Sequence, residues 1–180
     1  MLIAKEKRHS NIAEYVLYMW HIEDLLRAFQ FDIDMVKQKV IDGFKADTDT
    51  TKAITDWYES LIHMMHSENL IQKGHLQLVK NNVSEMDELH LDLLQASDHA
   101  DYLKMYFNAK SNIDGFRAKS NNPESTDIQV CLEGLYSLLL LKMSGKEISQ
   151  ATMDAMNSFS QLLALFSQKF ILWEEGKLDL

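Results

Sequence analysis

Asn11-Ile-Ala-Glu-Tyr-Val-Leu-Tyr-Met-Trp-His-Ile-Glu-Asp-Leu-Leu-Arg-Ala-Phe-Gln-Phe31 decides the fold class. The stretch contains neither Pro nor Gly, and Ile12, Tyr15, Val16, Met19, Ile22, Leu26 and Phe29 recur three or four residues apart. That spacing puts them on one face of a helix. Asn11 is placed to cap its first turn, with Glu14 three residues on as in a capping box. The rest of the chain is written the same way. Its 180 residues hold one Pro and 6 Gly, and no alternating apolar-polar run with hairpin turns stands out.

Working outward, Asp32 caps a short helix through Met35, Val36, Val40, Ile41 and Phe44, which Gly43 weakens. A polar turn at 47–51 leads into a third helix over residues 51–71, with Ile54, Trp57, Leu61, Met64 and Met65 inward. Gly74 is a stop or joint. A fourth helix covers 75–96, and Asp98 caps a fifth that carries Tyr102, Met105, Tyr106, Ala109, Ile113 and Phe116. Residues 119–123 form the clearest break, with Asn122 as N-cap and Pro123 in the first helical position. The helix that follows is apolar almost all round from Leu132 to Met143, which predicts a central buried helix. Gly145 ends it, and Ser149 caps a last helix lined by Met156, Phe159, Leu162, Leu163, Phe166, Phe170 and Trp173. The expected architecture is all-α: one domain, a bundle of six or seven helices around a central apolar helix. Residues 1–10 and 174–180 are expected to be peripheral or frayed.

Composition excludes several classes. At 20.9 kDa a compact chain buries about 70% of the surface an extended one exposes, enough for a core without staples. Eighteen basic against 27 acidic residues give a net charge of −9, which argues against nucleic acid and against anionic membranes as partners. Lys5 to His9 interrupt any secretory signal, and no apolar run approaches the roughly 20 residues a bilayer span needs. The expected location is the cytoplasm. Cys131 is the sole cysteine; it reads as a small apolar residue rather than a nucleophile. Trp20, Trp57 and Trp173 read as core or interface anchors.

Three stretches carry a family resemblance: residues 11–25, Trp57-Tyr-Glu-Ser-Leu61 and Lys73-Gly-His-Leu76. Together they resemble a family of uncharacterised proteins of Bacteroides-type bacteria, known as a domain of unknown function, over nearly the whole chain. The resemblance implies an all-helical bacterial protein and brings no activity and no functional residues.

Catalytic signatures such as a Gly-rich phosphate loop, Gly-x-Ser-x-Gly or His-Glu-x-x-His are missing from the sequence. The informative residues are therefore polar ones on apolar helix faces. Glu23 falls in the stripe of the first long helix, one turn before Arg27, a favourable ion-pair spacing. Glu68 lies one turn beyond Met64 and Met65. Asp87 and His90 share a face with Val83, Met86, Leu93 and Leu94. A carboxylate three residues before a His is how ferritin-like bundles present metal ligands, although here Asp replaces Glu and no second such element appears. The ordinary reading of all four is a hydrogen-bonded core or boundary residue. The functional one is a divalent-metal set of Glu23, Glu68, Asp87 and His90. Glu59, His63 and His66 form an alternative surface cluster on a solvated face.

The leading expectation is a non-enzymatic helical module, cofactor-free, acting through protein contacts or self-association as a homodimer. Leu140, Leu165 and Leu172, off the main stripes, are candidates for its patch. The alternative is a bundle binding a metal or small ligand through inward Glu, Asp and His side chains. Anion binding at helix N-termini is a third reading.

Overall fold

The computed structural model describes residues 2–120 and 122–180. Helices make up 76% of the chain, and no strand occurs among the described residues. Among the described residues eight α-helices follow in order: α1 (Leu2–Ser10), α2 (Ile12–Ala28), α3 (Ile33–Lys39), α4 (Thr48–Ser67), α5 (Gln77–Gln95), α6 (Ala100–Arg117), α7 (Asp127–Met143) and α8 (Gln150–Glu174). A 3-10 turn, Ile41–Phe44, follows α3. The count exceeds the expected six or seven because the N-terminal residues form α1. Its Ala4 is buried. Arg8 grips Glu174 at the far end of α8 with two bonds of 2.7 and 2.9 Å and lies 5.3 Å over the Phe170 ring.

Most helix ends follow the capping residues. Asn11 Oδ1 accepts the Glu14 N–H, Asp32 accepts from Asp34 and Met35, and Ser149 accepts from Thr152. The Glu14 side chain does not complete a box; it bonds Lys7 Nζ at 2.6 Å. Helix α4 starts earlier than expected because Asp47, not a later threonine, accepts the Thr50 N–H. Helix α6 starts behind His99 without a side-chain cap, and Asp98 instead accepts from Ser97.

The break before α7 is where the sequence misleads most. Asn122 and Pro123 do not open the helix; Thr126 does. Its hydroxyl accepts the Gln129 N–H while the Gln129 side chain accepts the Thr126 N–H. A reciprocal cap satisfies two otherwise orphaned donors, and it outweighs proline's preference for a first helical position. Asn121, inside the expected break, lies outside the described residues.

Helix α8, about 38 Å long at 1.5 Å per residue, is the spine: α1, α2, α5, α6 and α7 all touch it. Helix α7 is central too, meeting α2, α5, α6 and α8. Only its first half is buried, at Ile128, Val130, Cys131, Leu132 and Gly134. A Cβ on Gly134 would come within 2.8 Å of the Phe159 ring, so the missing side chain lets α7 and α8 approach. The second half emerges from the bundle and exposes Leu139, Leu140 and Met143. The expectation of a helix buried throughout residues 132–143 is therefore corrected. Leu165 is half-buried against the core. Leu172 is exposed but sits some 33 Å along α8 from its start, at the opposite end from Leu140. These leucines form no single patch.

Helices α3 and α4 and the 3-10 turn pack together as an outer layer. Its inner face carries Val36, Ile41, Ile54, Tyr58, Leu61 and Met65 into the common core.

Candidate functional site

Glu23 lies on the inward face of α2 and is fully buried. Its partner is not Arg27. Glu23 Oε2 lies 2.6 Å from His75 Nδ1, and Oε1 accepts the Leu76 N–H at 2.9 Å. The first contact engages His75 Nδ1 and leaves Nε2 as the ring's remaining polar atom. Arg27 turns the other way: it bonds Asp24 at 2.9 Å, the Leu70 carbonyl at 3.1 Å and the Gly74 carbonyl.

These bonds fix the segment between α4 and α5. Gly74 has φ +94°, a left-handed conformation natural to glycine. It swings the chain so that its own carbonyl meets Arg27 while the next residue reaches Glu23. Glu68 ends α4, and its Oε2 accepts the Gln77 N–H at 2.7 Å, supplying the cap that Leu76 cannot. The indole of Trp20 stacks on His75 with centroids 4.6 Å apart and the planes 21° from parallel. Tyr136 of α7 closes on Trp20 edge-on and donates to Asp24 Oδ2 at 2.6 Å.

A cleft of about 830 Å³ opens beside this knot, within the 300–1,000 Å³ range of small-molecule sites. Helix α2 supplies Trp20, Asp24 and Arg27; α5 supplies Lys80; and Lys119 approaches from the end of α6. Lys73 and His75 also line it, as do Phe116, Glu133 and Tyr136. Arg27, Lys73, Lys80 and Lys119 face two carboxylates, Asp24 and Glu133. Asp24 is engaged by Arg27 and Tyr136, and Glu133 accepts from Ser125 at 3.1 Å. Lys73, Lys80 and Lys119 have no carboxylate partner among the described residues. The indole N–H of Trp20 is buried with no acceptor among them.

Asp87 and His90 belong to a separate knot where α5, α6 and α7 meet. Asp87 accepts from Thr126 at 2.6 Å and from Gln129 at 3.3 Å, which ties α5 to the α7 cap. Burial pushes its carboxyl above the usual range, against the Thr126 bond and the neighbouring His90. His90 Nδ1 is 2.6 Å from the Tyr102 hydroxyl, and Nε2 lies 3.8 Å from Asp127 Oδ2, too far for a hydrogen bond. Asp127, the first residue of α7, accepts from Tyr106 at 2.6 Å and from Arg117. The adjacent His90 ring, the Tyr106 hydroxyl and the Arg117 guanidinium hold Asp127 well below the ordinary carboxylate range, against the opposing effect of burial. Burial raises the hydroxyls of Tyr102 and Tyr106 and the thiol of Cys131. This thiol is an inert core group.

The four inward candidates therefore divide into two knots. Glu23 and Glu68 secure the segment before α5; Asp87 and His90 secure the start of α7. Each is hydrogen-bonded to another segment of the fold, and of their buried side-chain polar atoms only His90 Nε2 has no hydrogen-bond partner among the described residues. Glu59, His63 and His66 are exposed on α4, and His66 packs against the Phe31 ring at 4.8 Å. Among the described residues, no three His, Cys, Asp or Glu side chains gather as a metal-holding group.

His75 and the three lysines escape a reading of the sequence. Lys73, Lys80 and Lys119 come from three places along the chain, and no spacing rule joins residues so separated. His75 precedes its helix, so it belongs to no apolar stripe. The usable signal is Gly74 itself, whose turn aims its neighbours.

The family model described as a domain of unknown function, DUF4924, matches residues 1–177, in line with the resemblance read from residues 11–25, 57–61 and 73–76. No curated protein and no solved structure matches the chain. No helix among the described residues is long and apolar enough to cross a membrane.

Proposed function

The chain belongs to the DUF4924 family of domains of unknown function, and we propose that it binds a small organic anion in the cleft between α2, α5 and α7. One observation carries the reading: Lys73, Lys80 and Lys119 line one concavity without carboxylate partners, in a chain of net charge −9. Lysines elsewhere also lack a carboxylate among the described residues, Lys39, Lys52 and Lys104 for instance, but Lys73, Lys80 and Lys119 converge on one concavity. A cleft that keeps three unpaired favours a negative ligand, and its low-dielectric walls strengthen the attraction. The stacked Trp20–His75 pair gives the anion's organic part a flat apolar wall. Buried Glu23 holds His75 in place.

Phenyl phosphate is the test ligand, titrated by calorimetry. It is expected to bind one per chain, with affinity falling as salt rises. Replacing Lys73, Lys80 and Lys119 together by Gln is expected to weaken binding at least about tenfold, or 1.4 kcal/mol, while the thermal midpoint holds. Absence of heat at millimolar ligand, or a triple variant that binds like the parent, overturns the reading.

A second reading, self-association, draws on Leu139, Leu140 and Met143, contiguous on the emergent half of α7, with Met143 63% exposed. Clustered exposed apolar surface marks interfaces. Light scattering on eluted protein should then give a dimer mass that Leu140→Glu with Met143→Glu converts to monomer. A parent that elutes as monomer at high concentration removes this reading.

A further inference from the structure

The anion cleft does not end at Phe116. A second groove of about 540 Å³ runs between α6, α7 and α8. It shares Phe116, Lys119, Ser120 and Ser137 with the first. The two adjoin along this shared wall, the first forming a cationic end and the second an arm beyond it.

The second arm is different in chemistry. Most of its polar side chains are occupied within the protein. Asn112 donates to Ser158 at 3.0 Å, the Ser149 and Thr152 hydroxyls bond each other at 2.9 Å, and Ser120 donates to the Arg117 carbonyl at 3.0 Å. What remains for a visitor is the hydroxyls of Ser111 and Ser137 and an apolar lining of Leu138, Leu141, Ala151, Ala155 and Met156, with the edge of Phe116. Apart from Lys119 on the shared wall, no charged side chain among the described residues lines it. Gly115, an exposed residue on the groove's edge, also leaves room, since an added Cβ there would meet nothing within 4 Å. Glycine weakens a helix relative to alanine, and here packing does not demand it.

We propose that the ligand is an amphipathic anion: its charged head sits among Lys73, Lys80 and Lys119, and an unbranched apolar tail runs past Phe116 into the groove between α6, α7 and α8. This rests on the anion reading above and assigns its ligand class. Alkyl phosphates and alkyl carboxylates share the required chemistry. Lys119, on the wall common to both arms, marks where head gives way to tail.

The test titrates the intact protein with ethyl, butyl, hexyl and octyl phosphate, and with phenyl phosphate as the head-group control. Affinity is expected to rise about two- to fourfold per added methylene, as apolar burial in a partly open groove dictates, and heptanoate compared with butyrate reads the same trend for carboxylates. Gly115→Phe fills the groove from a position where there is room, so folding should survive; it is expected to abolish the chain-length gain and leave phenyl phosphate binding unchanged. Gly115→Ala is expected to keep the gain. If phenyl phosphate binds but affinity is flat from ethyl to octyl, the tail assignment is overturned and the anion reading stands. The tail assignment falls in the same way if Gly115→Phe keeps the gain. If neither phenyl phosphate nor any alkyl phosphate binds, both fall.

Discussion

Asp127→Ala lowers the unfolding free energy by about 2–4 kcal/mol, a shift of roughly 5–15 °C in thermal midpoint for a chain of this size. The size follows from what the carboxylate answers. Asp127 sits at the start of α7, where a negative charge meets the positive end of the helix dipole. It takes the Tyr106 hydroxyl and the Arg117 guanidinium and lies beside His90. Removing it leaves the Tyr106 hydroxyl without its acceptor and takes one of three acceptors from Arg117, which keeps Asp114 and the Ser125 carbonyl. The side chain is 18% exposed and Arg117 22%, so some solvent relief places the loss at the lower part of the range for buried pairs. Asp127→Asn keeps the shape and should lose about half as much. The pH dependence has a definite sign. The folded state holds the carboxyl below its unfolded value, so the stabilisation is complete above about pH 4 and fades as pH falls through the folded value. Urea titrations at pH 7 and pH 3 should show a wide gap between parent and Asp127→Ala at the first and a narrower one at the second. A gap that is constant with pH, or below about 0.5 kcal/mol at pH 7, would show that Arg117 does not depend on this partner.

The same residues show what a one-dimensional reading can reach. Helical spacing places Glu23 and His90 inside, because burial on a helix is a local, periodic property and the inward face of α2 is set by its neighbours one turn away. The caps at Asn11, Asp32 and Ser149 are legible for the same reason: donor and acceptor lie within three residues. Partner identity is not. Glu23 at i and Arg27 at i+4 satisfy the local rule, yet Arg27 pairs with Asp24 on its own helix and with the Leu70 and Gly74 carbonyls across the fold, and Glu23 finds His75, 52 positions on. Pro123 misleads because its local preference yields to the stronger reciprocal cap that starts at Thr126. The second half of α7 looks buried because it is apolar on every side, but composition cannot tell a core helix from one that emerges. The cleft is the least legible feature. Its charge comes from lysines at 73, 80 and 119, each unremarkable on its own helix or turn, and only the meeting of α2, α5, α6 and α7 makes them one surface.

Glu23→Ala is expected to cost about 3–5 kcal/mol, the other large effect, and its value lies in what it separates. The carboxylate is fully buried and answers two groups, the His75 ring and the Leu76 N–H. Without it the segment that Gly74 bends into place loses its hold on α2, and a backbone N–H at the start of α5 is orphaned, a loss of about 1–3 kcal/mol by itself. His75→Ala should cost less, about 1–2 kcal/mol, because His75 is 37% exposed and its removal lets cleft water reach the carboxylate. Apolar replacement of both, Glu23→Leu with His75→Phe, should recover much of the single-variant loss, since a buried ionic pair is often no more stabilising than packed hydrocarbon. Chemical denaturation of the parent, Glu23→Leu, His75→Phe and the double of these two measures the cycle. A double variant no more stable than Glu23→Ala would mean that the bent segment requires the carboxylate bond to Leu76 rather than the pair. The folded double variant then reports on the site. If His75 touches the anion, phenyl phosphate affinity drops about tenfold, 1.4 kcal/mol, although all three lysines remain. If affinity is unchanged, Glu23 and His75 serve to hold the chain around the cleft, and recognition rests with Lys73, Lys80 and Lys119.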